Sequence, residues 1–340
     1  MAIGAAAELE HSSTVILTQR DVRRVLSMPA CIAAVERAFV SHARGQTVGP
    51  AVLGVHVDAG GFHVKAAGLA AAERSAMFAA KINANFPANP TTHGLPTIQG
   101  VLGLFDATNG RVLALMDSIE ITSLRTAAAT AVAAKHLAPV LADVVICGCG
   151  EQSRHQLRAL ACVRSLKRLR AFDVDPHRAT RLASDMRREL DVDASVIADL
   201  TGARDATIWI TCTPSRHWFV GREHVARGSF VAAVGADNPE KQEIEPELMA
   251  ANVVIADVVD QSASIGDLHH AIAAGVMRPD DVRGELADVV SGRIRGRRSD
   301  DEIVIFDSTG TALQDVAAAA VVYEHAVARG DCLTIALSDA

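Results

Sequence analysis

The apolar positions divide the chain into two stretches with different rhythms. Over residues 26–45, "LSMPACIAAVERAFVSHARG", apolar residues recur at helical spacing and Gly45 supplies a stop. "AVLGVHV" (51–57), "GGFHVKAAGL" (60–69) and "MFAAKINANF" (77–86) predict strands joined by turns. "IQGVLGLFDATNGRVLALMD" (98–117) predicts a hairpin, its Asn109-Gly110 pair suiting a tight turn with positive φ. "TSLRTAAATAVAAKHLA" (122–138) predicts an alanine-rich helix opening at its Thr/Ser start.

From residue 143 the rhythm changes to strand and helix in alternation. "ADVVICG", "RLRAFDVD", "DATIWITCT", "GSFVAAVGA", "NVVIADV" and "EIVIFDST" are short apolar runs rich in β-branched residues. "EQSRHQLRALACV" and "PHRATRLASDMRREL" are helical, the second opening with Pro176 at an allowed first-turn position. Buried strands separated by helices imply a doubly wound parallel sheet. A last helix follows "DSTG", and "CLTIAL" ends the pattern as a short strand.

At 340 residues the chain is long enough for two domains with a sizeable core. Half the residues are hydrophobic and the net charge is −7, which argues against a nucleic-acid surface. Aromatic residues are scarce and alanine abundant, so helices are expected to pack closely. No apolar run is long and clean enough to span a bilayer. The opening "MAIGAAAELEHSS" lacks the basic start and apolar core of a signal peptide. Six cysteines (31, 147, 149, 162, 212, 332) lack zinc spacing and read as reduced, buried thiols of a cytoplasmic protein. His269 and His270 have no partner at metal spacing either, so no metal is expected.

"VVICGCGEQSRHQ" (144–156) is the first stretch with chemistry in it. Gly148-Cys149-Gly150 between strand and helix is a tight turn, or it holds a phosphate at the helix N-terminus. Gly148 permits the turn, Gly150 a close backbone approach, and Ser153 close packing of helix on strand. The next strand ends in Asp173, 23 residues after Gly150, where an acid accepts both ribose hydroxyls and repels a 2′-phosphate. No arginine follows it, which favours NAD over NADP. The alternative for Asp173 is a solvated or capping acid.

Lys81, Arg125, Lys65 and His63 are cations that would suit a substrate carboxylate. His63 and Lys65 share one face of a strand. The alternative is a set of surface cations with snorkelling stems. Asp237, at a strand end in "VGADNPEKQ", is placed for general acid/base work, with Lys241 four residues on; otherwise it is a turn-forming residue.

The motifs "GLPT", "MDSIEITSLRTAAA", "ICGCGEQSRHQLRAL", "TCTPS", "VGADNPEKQEIEPELM", "GDLHHAI" and "RRSDDEIVIFDSTGTALQDVA" occur in a single order. In this the chain resembles the ornithine cyclodeaminase/mu-crystallin family, leaning toward its alanine dehydrogenase branch. The resemblance implies a Rossmann NAD-binding domain at 129–310. It implies an α+β substrate-binding and dimerisation domain at 1–128 and 311–340, and a homodimer. It makes Lys81 the carboxylate lysine, Asp237 the acid/base, and Arg125 a neighbour of carboxylate and nicotinamide. Thr97, Thr126, Gly148, Gly150, Glu151, Gln152, Asp173, Thr211, Val234, Gly235, Ala236, Lys241 and Ser308 match cofactor-contacting positions, and Thr309 a substrate position. The family's basic residue near position 50 is Ala51 here, and Lys65 or His63 is expected to supply that charge.

The activity implied is NAD-dependent redox at the C–N bond of a small α-amino acid or its imino acid. Cyclodeamination of ornithine type is the neighbouring alternative. A non-catalytic NAD- or small-ligand-binding protein of mu-crystallin type is the rival from another class.

Overall fold

The computed structural model describes residues 13–70 and 76–337. Residues 1–12, most of the segment considered above for a leader, lie outside the described residues, as do 71–75 and 338–340. In chain order the strands are β1 Ser13–Leu17, β2 Thr47–Val57, β3 Gly60–Leu69, β4 Met77–Asn85, β5 Ile98–Asp106, β6 Val112–Asp117, β7 Leu141–Cys147 and β8 Ser165–Phe172. They continue as β9 Asp193–Val196, β10 Ile208–Thr211, β11 Phe230–Ala233, β12 Val253–Ala256, β13 Gly284–Glu285, β14 Val304–Asp307 and β15 Leu333–Ala336. The chain forms two compact units, one of Met1–Arg125 with Thr311–Ala340, the other Thr126–Gly310.

The middle unit holds an eight-stranded sheet in the order β13-β12-β14-β11-β10-β7-β8-β9. Every neighbouring pair is parallel. The winding reverses between β7 and β10, as in a dinucleotide fold, so this is a doubly wound Rossmann sheet. β10, β11 and β14 are buried along their whole length, as their mainly apolar sequences require, with Thr211 and Asp307 the buried polar residues at the ends of β10 and β14. Phe230 and Phe306 are fully buried, each contributing roughly 1.5–3 kcal/mol of hydrophobic stabilisation. The alternation is imperfect, since no α-helix lies between β10 and β11; residues 212–229 cross over as turns and extended chain.

The other unit joins both chain ends around a seven-stranded sheet, β15-β1-β6-β5-β4-β3-β2, antiparallel except for β1 beside β6. Helix Ala312–Arg329 packs on β2 to β5 and on helix Met28–Ala43. Its run Ala317–Ala320 is buried, the close small-residue packing expected from composition. Gly330, at φ +70, closes this helix in the left-handed conformation that glycine favours. Period-two alternation puts Met77, Ala79 and Lys81 of β4 on the buried face and Ile82 on the other. That other face is apolar yet exposed, with Leu53, Val55, Phe62, Ile82 and Val101.

Three local expectations are corrected. The alanine-rich helix runs Ser118–Leu137 and begins four residues before Thr122, because Asp117 Oδ1 accepts the N–H groups of Ile119 and Glu120. Arg125 therefore sits in its third turn, not at its N-terminus. The 98–117 hairpin closes through a five-residue connection, 107–111, in which Gly110 alone has positive φ. Finally, the cysteines are free but not uniformly buried: Cys162 is exposed, and Cys212 and Cys332 are half-buried.

Candidate functional site

In the middle unit, β7 runs into a turn that only glycine fits. Gly148 has φ +88, and a Cβ there would lie 2.8 Å from the Cys212 carbonyl oxygen. Gly150 is the N-cap of helix Glu151–Ala161 and makes no side-chain cap bond, while a Cβ on it would meet open space. The first-turn N–H groups are thus left for an anion. Glu151 is exposed and Gln152 half-buried beside them, and buried Ser153 donates its hydroxyl to the Gly150 carbonyl at 2.5 Å.

Asp173 is neither a loose strand-end acid nor a helix cap. Its Oδ2 accepts the Cys149 N–H at 2.7 Å and its Oδ1 the Asp175 N–H at 2.8 Å. The carboxylate braces the glycine turn and keeps further lone pairs for hydroxyl donors. Asp175, not Asp173, caps the next helix, Pro176–Leu190.

At the ends of β10 and β11 sits Glu243, which sequence reasoning missed. It is fully buried and accepts the hydroxyl of Thr211 at 2.6 Å, the N–H and hydroxyl of Thr213, and the Gly235 N–H at 2.7 Å. Thr211 therefore has its hydroxyl committed to the protein. A Cβ on Gly235 would lie 2.5 Å from Glu243, so the Val234–Ala236 segment closes on this acid. The Glu243 and Ile244 N–H groups donate to Asp267, whose N–H and that of Leu268 donate to Asp307. Burial raises the carboxyls of Glu243, Asp267 and Asp307 above the ordinary range.

Asp237 follows this clamp on the surface. Its side chain is half-exposed and pairs with Lys241 Nζ at 2.7 Å. His270 lies 2.8 Å from the Lys241 carbonyl. Beyond β14, Ser308 is buried with its hydroxyl unpartnered, whereas Thr309 donates to Asp257 and accepts from Gln261. An uncapped helix start, an open glycine and an orphaned buried hydroxyl fit a dinucleotide.

The other unit brings Lys81 and Arg125 together, and neither is a surface cation: both are buried. They meet on a residue sequence reasoning did not select, Asp315 of helix Ala312–Arg329. Its Oδ1 lies 2.8 Å from Lys81 Nζ and 2.8 Å from Arg125 Nε. Lys81 also donates to Thr122 at 3.1 Å, and Arg125 to Gln314 at 2.8 Å. Burial draws the Lys81 amine down to about 7, opposed by Asp315 and reinforced by Arg125 and Lys65. Burial works to raise Asp315 as well, but Arg125 and Lys81 hold its carboxyl below the usual range.

Lys65 lies directly across the strand pair from Lys81 and is buried; His63 is half-buried opposite Asn83. Ala51 is exposed on β2 opposite Ala66, one position from Val52, which faces Lys65. Thr97 is half-buried, its carbonyl accepting the Phe86 N–H at 2.8 Å, and Thr126 is half-buried in helix Ser118–Leu137. Asp315 did leave a signal: it is the lone charge in "ALQDVAAAAVVY", as Arg125 is in "SLRTAAATAVAA". A lone charge on an apolar helix face needs a partner.

The alanine dehydrogenase of Archaeoglobus fulgidus is 36% identical over 320 residues, covering 93% of this chain and 96% of that one. The iminosuccinate reductase of Paracoccus denitrificans is 37% identical over 325 residues, covering 93% and 97%. Among solved structures, an archaeal alanine dehydrogenase dimer with bound NAD superposes with a TM-score of 0.91 at 35% identity, over 96% of this chain and 100% of that one. The family model for ornithine cyclodeaminase and mu-crystallin matches residues 12–330, and the chain belongs to the ornithine cyclodeaminase/mu-crystallin family.

Proposed function

We propose that this protein is an NAD-dependent oxidoreductase acting at the C–N bond of a small α-amino acid or its imino acid. The observation that carries the reading is the buried pair Lys81 and Arg125, desolvated cations suited to a carboxylate, in a chain whose relatives include an alanine dehydrogenase and an iminosuccinate reductase. In this reading residues 129–310 hold the cofactor, and residues 1–128 with 311–340 hold the substrate and the dimer contact.

The dinucleotide is held by the Gly148, Gly150, Glu151 and Gln152 turn, with Asp173 on the adenosine ribose. Thr97, Arg125, Thr126, Thr211, Val234 to Asp237, Lys241 and Ser308 complete the cofactor contacts. Nicotinamide, when bound, supplies the acceptor for the hydride of the substrate α-carbon. Lys81 and Arg125 grip the carboxylate and orient that carbon, with Lys65, His63 and Thr309 beside the substrate. Asp237 takes the proton released from the substrate nitrogen; half-exposed, it can pass that proton to water. Attack of water on the imino acid then yields a 2-oxo acid and ammonia.

The exposed apolar face of β2 to β5 supports a homodimer, as does the dimeric state of the archaeal structure. Among the described residues no helix is long and apolar enough to cross a membrane, and the six free cysteines favour a cytoplasmic location.

The test is a panel of small amino acids, scored by NADH formation and product mass. Turnover of at least one is expected, with NADH bound at least tenfold more tightly than NADPH, because Asp173 would face a 2′-phosphate (about 1.4 kcal/mol or more). Tight NADH binding with no turnover across amino and imino acids would replace this reading with a ligand-binding protein.

A further inference from the structure

Lys81 carries three N–H donors, of which Asp315 and Thr122 take two among the described residues. Gln314, beside Asp315 on the same helix, accepts from Arg125 and has its buried Nε2 unpartnered. The corner therefore presents donors that no group among the described residues takes up, next to two cations sharing one oxygen of a buried acid. The other oxygen, Oδ2, is buried without a hydrogen bond. Such an arrangement is a poor stabilising device, since well-packed apolar residues commonly do as well as a buried ion triad.

We infer that Asp315 is a positioning residue of the carboxylate site, holding Lys81 and Arg125 on one oxygen so that both are fixed for a ligand. The inference rests on the proposed substrate role of those two cations.

The groups facing Lys81 come from every element around it. Lys65 lies opposite on β3 and uncharged Leu102 opposite on β5. Thr122 and Arg125 approach from helix Ser118–Leu137, and Asp315 from helix Ala312–Arg329. Cys31, on helix Met28–Ala43, feels both Arg125 and Asp315, but burial pushes its thiol up to about 12 and it stays neutral. Among these described groups Asp315 is the one anion. With it, the Lys81 amine titrates at about 7; without it, burial and the neighbouring cations act unopposed and the charge is lost at lower pH. Carboxylate binding should then fade earlier as pH rises.

The experiment compares the full-length wild type with Asp315→Asn and Asp315→Glu, titrating pyruvate by calorimetry between pH 5.5 and 8.5 and NADH in parallel. Wild-type pyruvate affinity is expected to weaken as pH rises through the neutral range. In Asp315→Asn the midpoint should fall by about one pH unit or more, a roughly tenfold loss of affinity at neutral pH. Asp315→Glu should restore the midpoint, and NADH affinity should stay within about twofold throughout. Parallel pyruvate curves for wild type and Asp315→Asn would overturn the proposal, as would a wild type that binds no pyruvate. Loss of folding in both variants, read by circular dichroism, would assign Asp315 to the fold and overturn it too. An Asp315-dependent midpoint in a protein that turns over no amino acid would leave this inference standing and remove the proposed activity.

Discussion

Two lysine–aspartate pairs in this chain have nearly the same length and opposite physical characters. Lys81 and Asp315 lie 2.8 Å apart with both side chains 2% exposed, whereas Lys241 and Asp237 lie 2.7 Å apart with 21% and 53% exposed. In the first, each charge depends on the other, and removing one partner of such a buried pair costs about 3–5 kcal/mol when nothing replaces it. In the second, water screens the attraction and the pair is worth roughly 0–1 kcal/mol. Distance alone would rank them as equals. Burial makes one a pair of mutually dependent charges and leaves the other screened by solvent.

The largest effect expected from breaking this contrast is at the exposed pair. Asp237→Asn keeps the shape of the turn but cannot exchange a proton. Turnover should fall by roughly a hundredfold or more, with NADH affinity within a fewfold and the melting temperature unmoved. If both turnover and NADH affinity are preserved, Asp237 is a turn residue and the exposed pair has no part in the chemistry.

At the buried pair activity and stability should fall together. Lys81→Ala removes a charge-assisted contact worth about 2–3 kcal/mol, a loss of roughly 30- to 150-fold in kcat/KM for the amino acid. It also takes one of two cations from Asp315, so the melting temperature should drop, unlike that of Asp237→Asn. Arg125→Ala should damage substrate use in the same way. In the wild type, kcat/KM should decline as pH rises through about 7, because the cationic form of Lys81 binds the carboxylate and is lost above that value. A kcat/KM flat from pH 6 to 8.5 would contradict this role.

The smallest effect sharpens the comparison from the other side. Lys241→Ala should change unfolding free energy in urea by less than about 0.5 kcal/mol, as expected for a surface charge. A loss above about 1 kcal/mol would mean that the two pairs are not so different.

The nucleotide-binding half was legible because its signals are local. Gly148 needs its positive φ, Asp173 directly follows the neighbouring strand β8, and central strands such as β11 read as short apolar runs. The start of the Ser118–Leu137 helix was missed because Asp117 ends β6 and caps the helix at once, leaving no loop to mark the change. Asp315 was missed for a deeper reason. Its meaning depends on Lys81 and Arg125, far away along the chain, and spacing carries no information about such a pairing. Glu243 was hidden similarly, as one acid among several in "EKQEIEPE" until the fold gathers four donors around it.

The bond between Lys81 and Asp315 spans 234 positions, and that separation bears on how the protein is made. On the ribosome, β4 emerges with a lysine destined for the interior long before its acid exists. The whole middle unit, Thr126–Gly310, is synthesised in between and contains the partners of all eight strands of its own sheet. Helix Ala312–Arg329, which packs on β2 to β5, is synthesised last, so the pairing of Lys81 with Asp315 waits on it. Translation that stops within the middle unit leaves a chain able to complete the Rossmann sheet no further than its strands allow, with the seven-stranded sheet unfinished. The order of synthesis makes the ion pair of Lys81 with Asp315 one of the last features to form.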